Sequence, residues 1–370
     1  MRILHLVSCR GWSSDAYWAA RLCRELERRG HTVTLGCRQG TERLVIDRVR
    51  AEGVARIETL AFSGGLRPRT DVADVRRLAA LVREADVVHA HRGKEHWLTV
   101  VAARLSGRRV PIVRTRHIVQ PVRAHPGNRW LYGRATALVV TVTEAIRRQC
   151  LAAGLVTPDR VVTLRGGADA ETYRPRPSDP AVRRRLGAEP GTLLVGLVGG
   201  LRVMKGHEVV VDAAARLAAR GIRPRFVFVG RGAMEARVRS AIARAGLADG
   251  IALAGFVSDL PAVMAALDIA LYVPLESEGM SRVVFEYLAA ERPLIAARVG
   301  AAAEVLTDGE DAVLVAAGDA SALAEALVRV CADPGLRERV AAGGRRLVVE
   351  RYSGARVAEA LETHYARLAA

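Results

Sequence analysis

Short aliphatic runs recur along the first half of the chain, and between them lie stretches whose apolar positions return every three or four residues. The runs predict strands over residues 2–7, 32–36, 56–60, 86–90, 111–115, 137–142 and 161–164. The intervening stretches 16–29, 72–83 and 95–105 predict amphipathic helices. Strands that read as continuous aliphatic runs are buried on both faces, which is the habit of parallel sheets. Strand–helix alternation predicts a doubly wound parallel sheet with right-handed crossovers.

Residues 171–189 break the rhythm with Pro175, Pro177 and Pro180, and Pro190 follows. This segment reads as a connection carrying a short charged helix. The alternation then restarts, with strands expected over 192–198, 225–229, 251–254, 269–273, 293–296 and 312–315 and helices over 206–220, 233–245, 260–267 and 281–290. The tail is three helical runs in succession, 320–332, 334–351 and 354–368. The expected organisation is a first Rossmann-like domain over 1–170, a linker over 171–190 and a second Rossmann-like domain over 191–352. Ligands of such sheets bind outside the carboxyl ends of the strands, so the loops there are the places to look for chemistry.

Composition agrees with an α/β chain long enough for two cores: 370 residues, 50% hydrophobic and only 4% aromatic. The opening residues lack a long apolar stretch followed by a small-residue cleavage site, and no window approaches the ~20 apolar residues of a membrane span. Cys9, Cys23, Cys37, Cys150 and Cys331 are scattered without a C-x-x-C pair. They fit a reducing cytoplasm and no structural metal. The net charge of +17 admits three partners: nucleic acid, an anionic membrane surface or anionic small molecules. Of 56 basic residues only Lys94 and Lys205 are lysine, so part of the excess reflects a bias towards arginine. The charge is also spread over many helix faces.

The densest chemistry lies in Glu278-Gly279-Met280-Ser281-Arg282-Val283-Val284-Phe285-Glu286, after one strand and opening a helix. Gly279 permits close backbone approach, and the N–H groups of Met280 and Ser281 belong to a helix N-terminus, which suits a diphosphate or a sugar hydroxyl. The run Val198-Gly199-Gly200-Leu201-Arg202-Val203-Met204-Lys205-Gly206-His207 follows the first strand of the second domain. Glycines after a strand and a cation at a helix start make a phosphate cradle.

These motifs resemble those of the family-4 glycosyltransferases, whose signature is Glu, seven residues, Glu in this setting. Pro274 before the motif and Arg292-Pro293-Leu294-Ile295-Ala296 after it carry the likeness further. The resemblance covers nearly the whole chain and is most specific over residues 192–316. It implies the GT-B fold, two Rossmann-like domains facing across a cleft with a last helix (353–370) returning to the first. It implies a retaining enzyme that moves a sugar from a nucleotide-sugar donor, with Glu278 on the transferred sugar and Glu286 on the ribose hydroxyls. Lys205 matches a cation that grips the diphosphate. The family's second cation falls at Gly200, and Arg202 is expected to reach back in its place. Gly230 and Val257, in strand-end loops, line the nucleotide in this reading.

In the first domain, His117 matches a histidine at the reacting centre, and Arg116 precedes it. Gly11 is what remains of a glycine loop beside the donor phosphates, and neighbouring Trp12 either stacks on a ligand or packs. Lys94, in a strand-end loop, contacts an anionic acceptor group or is a solvated cation. His89 and His91 end a strand without a nearby carboxylate, so no metal site is expected, and no cofactor beyond the co-substrate. The expected acceptor is a saccharide or glycolipid, with peripheral attachment to an anionic membrane and no nucleic-acid partner. A sugar-nucleotide 2-epimerase of the same fold and a basic nucleic-acid scaffold remain the alternatives.

Overall fold

The computed structural model describes every residue except 10, 12, 40–42, 278 and 280, and the side chains of 43 and 44. The chain divides into two compact units, Met1–Gly167 with Gly354–Ala370, and Ala168–Ser353.

The first unit is built on β1 (Arg2–Val7), β2 (Thr32–Arg38), β3 (Arg56–Leu60), β4 (Val87–Ala90), β5 (Ile112–Arg116), β6 (Leu138–Thr141) and β7 (Val161–Thr163). They form one parallel sheet in the order β3-β2-β1-β4-β5-β6-β7. The second is built on β8 (Leu194–Val198), β9 (Arg225–Val229), β10 (Ile251–Gly255), β11 (Ile269–Tyr272), β12 (Leu294–Ala297) and β13 (Val313–Val315), ordered β10-β9-β8-β11-β12-β13. The central strands β4, β5, β6, β8, β11 and β12 are buried along their whole length, which is why they read as unbroken runs rather than alternating ones. Both sheets are doubly wound, as the sequence pattern predicts. Strand order reverses beside β1 in one and beside β8 in the other, so the loops after β1, β4, β8 and β11 flank the switch points.

The tail departs from the expected pattern in one place. Asp333 ends the helix Ala320–Ala332 and caps the helix Pro334–Leu347, accepting from the Leu336 N–H at 2.9 Å. That helix then widens into a π turn over Val348–Tyr352 instead of continuing. The last helix, Gly354–Ala369, returns to the first unit, where it packs on the helix Ser14–Arg28. Val357, Ala358, Leu361 and Tyr365 form its buried stripe. At its edge the Glu362 carboxylate takes Arg29 Nε at 2.5 Å and His31 Nε2 at 2.9 Å. Among the described residues no helix is long and apolar enough to cross a membrane.

Leu361 is fully buried. Its truncation, Leu361→Ala, is expected to destabilise the first unit by about 2–5 kcal/mol, the usual cost of a buried leucine and its cavity. All tryptophans (Trp12, Trp18, Trp97, Trp130) lie in this unit, so tryptophan fluorescence during denaturation reads it selectively. An unchanged midpoint would show that the last helix adds nothing to it.

Candidate functional site

In the second unit the chemistry-bearing loops meet through their backbones. The loop after β8 is held by Gly199 N–H to Val229 O at 2.9 Å and Leu201 N–H to Arg231 O at 3.1 Å. Its 3-10 turn, Val203–Lys205, receives Leu275 N–H at Met204 O at 2.8 Å, from the loop after β11. Two glycines make this possible. Gly206 sits at φ 73° with the Val273 carbonyl oxygen 2.0 Å from where a Cβ would stand. Gly230, at φ 147°, has the Gly199 carbonyl oxygen at the same 2.0 Å. No side chain fits either position.

The cations lie over the glycine pair. A Cβ on Gly199 would lie 3.9 Å from Lys205 Nζ, and one on Gly200 would lie 3.6 Å from Arg202 Nε. Arg202 therefore folds back towards the place where the family's arginine is missing. Arg231, which the sequence reading left without a role, has its Nε 3.8 Å from a Cβ built on Gly255, beside Val257. Arg202, Val203, Met204, Leu275 and Glu276 line a cavity of ≈ 420 Å³.

Glu286 lies on the helix Arg282–Ala289, whose N-cap is Ser281. Its side chain is buried, with a carboxylate oxygen 2.7 Å from Arg282 Nε. The next residue, Tyr287, has no role of its own in the sequence motif. Its buried hydroxyl accepts from the Val198 N–H at 2.7 Å, tying the helix of Glu286 to the last residue of β8. Gly279 is buried at φ 89° and donates its N–H to Ser277 Oγ at 3.3 Å. Glu278, Met280 and Trp12 lie outside the described residues.

In the first unit the loop after β1, which carries Gly11, is anchored by a residue that sequence reasoning passed over. Glu95, fully buried, accepts from Ser8 Oγ at 2.6 Å and from the Ser8 N–H at 3.2 Å. Burial raises its carboxyl pKa, opposed by the Arg114 charge and these hydrogen bonds. Lys94 is occupied by the fold: its ammonium donates to Asp71 Oδ2 at 2.6 Å and to Gly65 O at 2.7 Å. It is not the free cation that the sequence leaves open. Arg116, the last residue of β5, is buried and donates from Nη2 to Gln120 O at 2.6 Å.

His117 joins a group that only the fold assembles. His5 pairs in register with His89, and His89 with Val113. Residues two apart share a face, so His5, His89, His91, Thr115 and His117 all lie on one side of the sheet. Trp18 presents its edge to the rings of His89, His91 and His117, and Tyr365 comes in from the last helix. Burial lowers the pKa of His5 to about 3 and those of His89 and His91 well below the usual value. His117 is pushed down to about 3 by burial, with Asp15 opposing and Arg114, Arg92 and Arg116 adding to the drop. Asp15 is held at about 2: burial works against it, and Arg92, whose Nε donates at 2.5 Å, outweighs burial. His5 adds a third ring to the His89 and His91 pair, and the three place possible ligand atoms within 4.8 Å of one another.

The same rings set an acid limit. An unfolded histidine titrates near 6.5, while these stay neutral in the folded chain to far lower pH. Below 6.5 the unfolded state therefore holds more protons, and folding stability is lost as pH falls from 6.5 towards 3. Each of His5, His89 and His91 should contribute a slope of about 1.4 kcal/mol per pH unit. Denaturation midpoints read by tryptophan fluorescence between pH 7 and 4 check this, and a flat profile over that range would refute neutral burial.

With this geometry in view, the chain matches the family described as Glycosyltransferase Family 4 over residues 16–172 and that described as Glycosyl transferases group 1 over residues 192–333. A D-inositol 3-phosphate glycosyltransferase of Frankia alni is 30% identical over 291 residues, 70% of this chain and 68% of that protein. The corresponding protein of Acidothermus cellulolyticus is 32% identical over 285 residues, but the match spans only 62% of its length. A 2-deoxystreptamine glucosyltransferase of Streptomyces kanamyceticus is 29% identical over 94% of this chain and 97% of its own. Among solved structures, a glycosyltransferase of Rickettsia africae superposes with a TM-score of 0.86 at 19% identity, over 99% of this chain and 98% of its own. Anabaena Alr3699/HepE in complex with UDP superposes with a TM-score of 0.83, also at 19% identity, over 99% and 100%. At that identity they establish the fold, which is GT-B, and the sequence matches establish the rest: the chain is a glycosyltransferase of family 4.

Proposed function

We propose that this glycosyltransferase transfers a hexose, with retention and without a metal ion, from a uridine diphosphate sugar held by the second unit. The observation that carries the reading is the convergence of Arg202 and Lys205 on the Gly199-Gly200 turn, joined through Tyr287 to the helix that bears buried Glu286. The departing diphosphate gathers negative charge, and two cations with a helix N-terminus answer that charge without a divalent ion. Arg202 takes the role of the arginine absent at Gly200. Glu286 accepts from the ribose hydroxyls and Glu278 holds the transferred sugar. In the front-face course the acceptor proton passes to the departing phosphate, so no side-chain base is required. The choice of uridine draws on the UDP-glucose complex of HepE.

For the acceptor, the inositol phosphate and 2-deoxystreptamine in the relatives' names point to polyhydroxylated six-membered rings. A glycolipid is favoured by a separate feature. Trp97, Val101 and Leu105 stand exposed at four-residue spacing on the helix Gly93–Ser106, and Arg104 lies 4.4 Å over the ring of Trp130, which stacks on Trp97. Such a stripe with flanking arginines suits a peripheral site on an anionic membrane facing the cytoplasm. An acceptor screen of cyclitols and lipid-linked sugars with UDP-glucose separates the two.

Lys205→Ala and Glu286→Ala should fold, by circular dichroism, and bind UDP at least roughly tenfold more weakly by calorimetry, the value of one charged hydrogen bond. Unchanged affinity in both variants would remove the donor site from these loops. Transfer should proceed undiminished in excess chelator. Turnover lost there and restored by magnesium or manganese would overturn the metal-free reading, and sugar interconversion without any acceptor would favour the epimerase.

A further inference from the structure

Four histidine rings, one tyrosine and one threonine stand in unbroken hydrogen-bonding sequence inside the first unit. Thr115 Oγ1 is 2.6 Å from His89 Nε2, and His89 Nδ1 is 2.5 Å from the Tyr365 hydroxyl. That hydroxyl is 3.3 Å from His5 Nε2, and His5 Nδ1 is 3.0 Å from His91 Nε2. His91 Nδ1 is 3.1 Å from His117 Nε2. Every ring nitrogen of His5, His89 and His91 is thus engaged, and each link needs one donor and one acceptor.

A neutral imidazole carries one N–H and one lone pair. The Tyr365 hydroxyl is fully buried and among the described residues meets only His5 and His89, so accepting from both would leave its own hydrogen unsatisfied. With that hydrogen used, two arrangements satisfy all five links, one the reverse of the other. Protons run either from His117 towards Thr115 or from Thr115 towards His117. The threonine end distinguishes them. If His89 Nε2–H donated to Thr115, the threonine hydroxyl hydrogen would need another acceptor. Thr115 is fully buried, and among the described residues its hydroxyl meets only His89. A buried donor left unsatisfied is costly, whereas an oxygen with a spare lone pair is tolerated far better. The hydroxyl therefore donates to His89 Nε2, and this choice propagates along the chain.

We propose that Thr115, His89, Tyr365, His5, His91 and His117 form one directed hydrogen-bonded chain that fixes all four imidazoles as the Nδ1–H tautomer and leaves His117 a hydrogen-bond donor, not a general base. His117 Nε2 is consumed as the acceptor for His91 Nδ1–H, and its remaining polar atom is the Nδ1–H. Tyr365, on the last helix, is a positioning residue acting through His5 and His91. The chain itself stands on these contacts alone. Its service to the reaction rests on the proposed function and on the place at the reacting centre that the family resemblance implies for His117. The rival reading is a metal ion on His5, His89 and His91. It would have to break the links among them, has no carboxylate in the cluster to balance its charge, and lies within the field of Arg114, which already disfavours charge on His91.

Long-range 15N–1H correlation spectra of the 15N-histidine-labelled protein at pH 7 read the tautomers directly. The expected result is protonated Nδ1 and unprotonated Nε2 on His5, His89, His91 and His117. An Nε2–H tautomer or an imidazolium at any of the four overturns the chain, as does about one equivalent of zinc, copper or nickel whose removal changes these signals. Tyr365→Phe should turn His117 into a mixture of tautomers and lower kcat on the order of tenfold, the worth of one hydrogen bond in the transition state, with UDP affinity unchanged. His91→Asn keeps an amide donor near the Nδ1 position and should hold the His117 tautomer, whereas His91→Leu should release it. If the tautomers mix and kcat does not fall, Tyr365 has no positioning role although the chain is real. If the unaltered protein transfers no sugar at all, the proposed function fails and the spectra still decide the chain.

Discussion

Backbone crowding at the carboxyl ends of β8, β9 and β11 governs the second unit. The carbonyl oxygens of Gly199 and Val273 occupy the space where the Cβ atoms of Gly230 and Gly206 would be. Only glycine lets three parallel strands deliver their loops to one point. Once they are that close, the N–H and C=O groups of neighbouring loops satisfy one another, as Leu275 N–H does with Met204 O. Lys205 and Arg202 then have bare peptide beneath them instead of side chains. A polyanion can reach main chain and cation together there, which is what a diphosphate demands.

The first unit places polar groups beneath its strand ends by another route. Its switch-point strands carry His5 and His89 in a register where core positions are normally aliphatic. Buried polar atoms need partners, and here the partners are one another, with Tyr365 supplied by a helix far away in sequence. Glu95 anchoring Ser8 on the other side of the loop follows the same logic. The return of the last helix is therefore more than a cover for apolar surface, because without Tyr365 two buried imidazoles would lose a link.

The alternation of strands and helices was legible because central parallel strands leave an unmistakable aliphatic signature, and the glycine-bearing loops after β8 and β11 were legible as strand-end loops because glycine and cation spacing is local. The arrangement around His117 was not. His5, His89 and Tyr365 are far apart along the chain, and only register and the path of the last helix bring them together. Lys94 shows the converse. A lone lysine in a strand-end loop suggested a ligand contact, yet Asp71, on the helix Pro68–Glu84, takes it up. Spacing identifies loops well, but it does not say which partner of opposite charge the fold has already placed there. The π turn after Leu347 had no signal either, since Val348–Tyr352 reads as more helix.

The arginine excess links the two units. Spread over helix faces it does little locally, because exposed ion pairs are worth only about 0–1 kcal/mol. Its collective field attracts phosphates and disfavours any further positive charge. Arg114, Arg92 and Arg116 act in that sense on His117, and Arg114 does so on His91. Burial is the first cause of the histidines' neutrality and the sole one at His5, and these guanidiniums add to it. Neutral rings can be joined through single shared protons, whereas imidazolium rings, which only donate, would force the chain apart. Burial and the guanidiniums of Arg92, Arg114 and Arg116 act in the same direction, and a neutral, fully linked histidine chain is their joint outcome.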